Sequence, residues 1–183
     1  MVFITLIEII FLFIATIVIG FIFSDFLPSS SKELKIGFDW KRFWFACLVA
    51  APGIVLHELG HKFVAIAFGL SAHFELSYFG LGLGLILKLL GSGFILLAPG
   101  YVVIANASAL QGIVTAASGP LVNLVLWIGG LLIVKFVYIK SRNTIIFLTL
   151  TKEINKWLFI FNILPIPPLD GFKIWIPLFQ MIF

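Results

Sequence analysis

Residues 3–23, FITLIEIIFLFIATIVIGFIF, form an apolar run of 21 positions with Glu8 as its one charged residue. At the 1.5 Å rise of a helix, such a run covers about 30 Å, the thickness of a bilayer's hydrocarbon core. It reads as a first transmembrane helix rather than a cleaved leader, because no Lys or Arg precedes it and no small-x-small site follows. The remaining sequence calls for the same solvent. Of 183 residues, 62% are apolar and 11% charged, whereas soluble domains carry about 25% charged residues. A chain with 21 Phe and 5 Trp cannot leave them in water, which excludes disorder as well as a free-standing soluble fold. The net charge of +4 comes from basic residues set between apolar stretches, where they read as interfacial anchors. They form no basic, aromatic groove for nucleic acid.

The polar segments divide the chain. Residues 24–42 hold seven charges, a run of serines and Pro28, and end on Trp40, Lys41 and Arg42, so they form a solvated loop with an anchor at its end. A second span follows from about Phe43 to Gly69. Residues 70–109 are apolar but punctuated by Gly80, Gly82, Gly84, Gly91, Gly93, Pro99 and Gly100, with alternation in AHFELSY, and predict short strands of a small membrane-associated sheet. A third span covers about Gly112 to Tyr138. The fourth begins near Ile145 or Ile154 and breaks at Pro165, Pro167 and Pro168, which lack amide donors and clash with the preceding turn. The expected class is therefore membrane α-helical, with about four transmembrane helices and a small sheet.

Inside the second span lies His57-Glu58-Leu59-Gly60-His61. Histidines four positions apart lie one above the other on a helix face, so both can reach one metal ion. Glu58 is about 100° around the helix from His57, close enough to act on water at the metal without ligating it. Three ionisable groups in five residues of a membrane span are costly unless they pair, bind metal or line a wet cavity. Cys47 is the single cysteine, so a metal must be held by His and carboxylate.

A catalytic zinc usually takes three protein ligands. Asp170 is the best third ligand, being the only carboxylate after Glu153 and following a proline break that frees the chain to turn inward; the alternative is an Asp-Gly turn capping a helix. His73 is a weaker rival. Asn123 in GPLVNLV and Asn162 in FNILP are amides in apolar surroundings, where unmet hydrogen-bonding capacity is costly. Each suits either of two roles, donor to a developing oxyanion or helix-to-helix hydrogen bond.

The ordered set of HELGH in one transmembrane helix, SGPLVN at the start of a later one and NILPIPPLDG in the last resembles the site-2 protease family (M50) of intramembrane zinc metalloproteases. The resemblance covers about residues 43 to 175, the family's three-helix catalytic core. It implies one zinc held by His57, His61 and Asp170, Glu58 as catalytic acid and base, and Asn162 in contact with substrate. On this reading residues 1–42 are a first transmembrane helix with its polar loop, and 43–183 the protease core. The resemblance also implies a multi-pass protein of the cell membrane, surrounded by lipid, that cleaves single-span transmembrane proteins. Lys32, Lys35, Lys41 and Arg42 in the first loop and Lys135, Lys140, Arg142, Lys152 and Lys156 around the third outnumber the remaining lysines. The positive-inside count thus puts those loops in the cytoplasm, whereas the family opens its site toward the cytosol. Two other classes compete: a membrane carrier of metal or haem, and a catalytically inactive membrane binding module.

Overall fold

A computed structural model describes residues 3–27, 37–91 and 99–182. Pro28, Lys32, Lys35 and Gly93, invoked above, lie outside them. Among the described residues six α-helices and two strands follow one another: α1 (Leu6–Phe23), α2 (Trp40–Ala67), β1 (Ala72–Leu76), α3 (Tyr78–Leu89), β2 (Gly100–Ile104), α4 (Ala109–Phe136), α5 (Arg142–Asn162) and α6 (Asp170–Ile182), with a short 3-10 turn at Ser24–Phe26 after α1. Three of them, α1, α2 and α4, are long and apolar enough to cross a membrane. The expectation was about four. Although α5 has 21 residues, Lys152, Glu153 and Lys156 sit within it and lower its apolar character.

Helix starts follow local chemistry. Thr5 and Glu8 form a capping box at α1, and Ser108 and Gln111 form another at α4, each satisfying backbone donors that a helix start leaves unpaired. Pro52 and Pro120 lie inside α2 and α4 without ending them. Membrane helices tolerate such prolines where neighbouring helices take up the freed backbone groups. Leu6, Ile7, Phe13, Leu121 and Val125 are exposed, a surface suited to lipid rather than water.

The strand reading of residues 70–109 is only partly met. Residues 72–76 and 100–104 pair as a two-stranded sheet, but 78–89 are helical. Ser77 caps α3 by accepting the Gly80 N–H, and Gly80 and Gly84, one helical turn apart, are both buried; α3 packs on α1. Glycines that look like strand punctuation in sequence here lie on the buried face of a helix, where small residues suit close packing. The Ser77 N–H donates to the Pro99 carbonyl at 3.1 Å and the Ala105 N–H to the Ser71 carbonyl at 3.3 Å, which makes the strands antiparallel. Glu75 then faces Tyr101, whose hydroxyl donates to Glu75 Oε2 at 3.1 Å. That bond to a carboxylate pushes the phenol's pKa up.

The chain forms two compact units, one of residues 4–52 and 74–101, the other of residues 1–3, 53–73 and 102–183. In the first, Ile19, Ile22, Ala46, Val49 and Ala50 are buried. Lys88 Nζ there caps the end of α1, donating to Ser24 Oγ at 2.9 Å and pairing with Asp25 at 3.1 Å. Glu8 Oε1 accepts the Phe74 N–H of β1 at 2.7 Å. In the second unit α4 packs against both α5 and α6. α5 stops at Asn162 and α6 starts at Asp170, with the three prolines between them, as their chemistry requires.

Candidate metal centre

The second unit contains the HELGH segment, α4, α5 and α6, and it brings His57, His61 and Asp170 together. The imidazoles of His57 and His61, one turn apart on α2, stand edge to face with ring centroids 4.7 Å apart. Their Nε2 atoms are 3.1 Å from each other. Asp170 Oδ2, from the first residue of α6, lies 3.0 Å from His57 Nε2 and 3.2 Å from His61 Nε2. Both histidines are buried, and the Asp170 side chain is only 13% exposed.

The outward nitrogens decide what these three atoms can be. His61 Nδ1 is 2.7 Å from the Thr115 carbonyl, which can only accept, so Nδ1 carries a proton and the neutral imidazole has its lone pair on Nε2. His57 Nδ1 is 2.7 Å from Asn123 Oδ1. Both N–H groups of that Asn123 amide are engaged, one donating to the Gly53 carbonyl at 3.0 Å and the other to Asn155 Oδ1 at 2.9 Å. Oδ1 therefore accepts from His57 Nδ1–H, and the neutral His57 imidazole also presents its lone pair on Nε2. Two imidazole lone pairs and a carboxylate oxygen converge on one point, an arrangement that repels itself unless a cation joins it. Nδ1–H donation to a carbonyl behind each ring is the usual support of metal-binding histidines.

Close packing completes the fit. A Cβ on Gly119 would strike the rings of both His57 and His61, so α4 can lie against the pair only with glycine at this position. Glu58 is buried, and its Oε2 has no hydrogen-bond partner within the protein. A buried carboxylate oxygen is costly to leave unpaired, and its place next to His57 on α2 suits it to a water or substrate proton.

Among the described residues, His57, His61 and Asp170 are the group of His, Cys, Asp and Glu side chains able to hold a metal ion. His73 is not part of it and lies exposed on β1. The hydrogen bonds of Asn123 are those of a helix-to-helix contact, and no N–H remains for a substrate carbonyl. Asn162 sits at the end of α5 with its amide donating to the Leu158 carbonyl at 3.0 Å, one turn back. The sequence reading missed Gly119, the Thr115 carbonyl and Asn155. Gly119 could have been found four positions before Asn123, on the same helix face, whereas Asn155 is hidden among the charges of TKEINKW.

No family model matches the sequence, and no solved structure matches it. Two curated sequences do. A protein of Bacillus subtilis named "Putative zinc metalloprotease YwhC" is 27% identical over 138 residues, covering 65% of this chain and 62% of its own. One of Methanocaldococcus jannaschii, named "Putative zinc metalloprotease MJ0611", is 35% identical over 176 residues, covering 93% of this chain and 85% of its own. Their names and the His57, His61 and Asp170 group together make zinc the cofactor. With that identity sustained over nearly its whole length, the chain belongs to the zinc metalloprotease family of the M. jannaschii protein.

Proposed function

We propose that this protein is an intramembrane metalloprotease of the site-2 type, which hydrolyses a peptide bond within the transmembrane segment of a single-span protein. The observation that carries the reading is the convergence of His57 Nε2 and His61 Nε2, on a helix long enough to cross a membrane, with Asp170 Oδ2 of α6, while Oε2 of the adjoining Glu58 has no partner in the protein. His57, His61 and Asp170 would hold the zinc, which would supply a Lewis acid for the scissile carbonyl and lower the pKa of water toward about 7. Glu58 then takes the proton of the attacking water and returns it to the leaving nitrogen. Asn123 and the Thr115 carbonyl hold the two imidazoles in place while this happens. Asn162, next to the proline turn that delivers Asp170, contacts the substrate backbone.

A transmembrane helix hides its peptide bonds in its own hydrogen bonds, so a substrate must be unwound and held extended before cleavage. The antiparallel pair β1 and β2 offers a backbone edge of the kind that binds extended peptides. The reading includes a multi-pass location in which α5 joins α1, α2 and α4 as a fourth span. A carrier of metal or haem has no use for a carboxylate set between the two histidines.

The test is cleavage of a single-span substrate containing helix-breaking residues, in detergent, by wild type and Glu58→Gln at matched zinc content. We expect the variant to bind zinc and to lose at least about 100-fold in rate, the lower end of what a positioned acid–base group contributes. Cleavage by Glu58→Gln at the wild-type rate would refute the assignment of the base. Zinc bound one to one with no cleavage of any tested span by wild type would favour the binding module.

A further inference from the structure

Behind His57 the hydrogen bonds run in one direction only. Asn155 Nδ2 donates to the Thr151 carbonyl at 2.8 Å, one turn back on α5. Its Oδ1 must therefore be the atom that faces Asn123, and it accepts Asn123 Nδ2 at 2.9 Å. The Gly53 carbonyl takes the other Asn123 N–H at 3.0 Å. What remains of Asn123 is Oδ1, and it lies 2.7 Å from His57 Nδ1. Turning the Asn155 amide over would set N–H against N–H on one side and oxygen against the Thr151 carbonyl on the other. Two backbone carbonyls, Thr151 of α5 through Asn155 and Gly53 of α2 directly, thus set the Asn123 amide and with it the nitrogen of His57 that carries the proton.

The arrangement has no slack. Asn123 and Asn155 are both fully buried, at 0% exposure, so bulk water cannot stand in for a lost partner. A Cβ on Gly53 would come within 2.7 Å of Asn155 Oδ1 and 3.0 Å of its Nδ2; α2 meets the amide with glycine alone. If Asn155 offered no acceptor, the Gly53 carbonyl alone would hold the Asn123 amide, and turning it to present N–H to His57 Nδ1 would set Oδ1 against one carbonyl instead of two acceptors. In that turned state the proton of His57 sits on Nε2 and points into the metal site.

We propose that Asn155 is a positioning residue of the metal centre. Together with the Gly53 carbonyl it holds Asn123 in the amide orientation that presents His57 to the metal through the Nε2 lone pair. This rests on the metalloprotease reading above and extends it to a helix that supplies no ligand.

Zinc affinity of the detergent-solubilised protein, measured by competition with a chromophoric chelator, and the visible spectrum of the Co²⁺-loaded protein test it. Asn155→Leu removes the acceptor at similar volume. Asn155→Asp, neutral when buried, keeps an acceptor for Asn123 and a donor for Thr151. We expect Asn155→Leu to weaken zinc binding about 10- to 100-fold, the range for supports behind a metal-bound histidine, and to change the cobalt spectrum. Asn155→Asp should recover most of the affinity and the wild-type spectrum. If Asn155 were only a bolt between helices, Asn155→Leu would melt earlier while its folded fraction bound zinc normally, and that result overturns the proposal. Equal loss in both variants overturns it as well. Should Asn155→Leu fail to fold, nitrogen-15 histidine spectra of metal-free wild type decide the matter: a proton on His57 Nδ1 is expected, and one on Nε2 refutes it. Wild type that binds no zinc would bring down the metal-site reading itself, an outcome seen before any variant is made.

Discussion

Between Thr115 and Asn123, α4 buries Thr115, Ala116, Ser118, Gly119, Pro120 and Asn123, while further along the same helix Val125, Ile128, Leu131, Leu132, Ile133 and Phe136 are exposed. A soluble helix shows the reverse, with its aliphatic residues inside and its polar ones in water. Lipid is as apolar as leucine, so moving a leucine from lipid to the protein interior gains little. Helices associate instead through small residues that permit close approach and through hydrogen bonds. The buried half of α4 is made of such residues, and it is the half that touches His57 and His61. In this chain buried polarity marks the working surface, and exposed apolarity marks the solvent.

Substitutions along α4 can break or sharpen that contrast. The largest effect should come from Gly119→Leu, whose side chain occupies the space of both imidazoles; zinc affinity by chelator competition should fall at least about 100-fold, with cleavage lost. Removing the metal comes next. A protein holding zinc at 1,000 times its Kd loses about 4 kcal/mol on chelation, so the melting temperature should drop, with amide exchange rising around Thr115–Asn123 before it rises around Val125–Phe136. Asn123→Leu strips His57 Nδ1 of its acceptor and should cost about 1–3 kcal/mol in denaturation, the penalty for a buried unsatisfied group. Leu132→Ala, in the exposed half, should change stability by no more than about 0.5 kcal/mol and leave zinc affinity alone. Were Leu132→Ala to destabilise as much as Asn123→Leu, the outer half of α4 would be a packed interface and the contrast would fail.

The site was more legible than the architecture around it. His57, Glu58 and His61 announce themselves because their chemistry depends on spacing within one helix, which sequence displays directly. Asp170 was found by isolation, as a lone carboxylate after a proline break. The role of Asn123 stayed open in the sequence, because an amide's function depends on which partners reach it from α2 and α5, and those contacts are long-range. Asn155 was invisible for a second reason: Lys152, Glu153 and Lys156 around it suggest a solvated helix face, whereas its own side chain is fully buried. Residues 78–89 misled because glycine has two uses, punctuating strands and thinning helix contacts, and sequence alone does not say which one applies. The same charges on α5 explain why four expected spans became three helices of sufficient length and apolarity.

Asp170 follows His57 by 113 positions. An ion gripped by both closes a ring in the chain of that circumference, and the unfolded ensemble forfeits the conformations that would keep the two ends apart. By the chain-entropy estimate, a disulfide closing a ring of about 100 residues is worth roughly 4 to 5 kcal/mol, and a tightly held ion restrains the chain in the same manner for as long as it stays. α6, only 13 residues long and outside the set of span-length helices, is tethered through its first residue. In a chain with a single cysteine, zinc takes the place of the covalent cross-link.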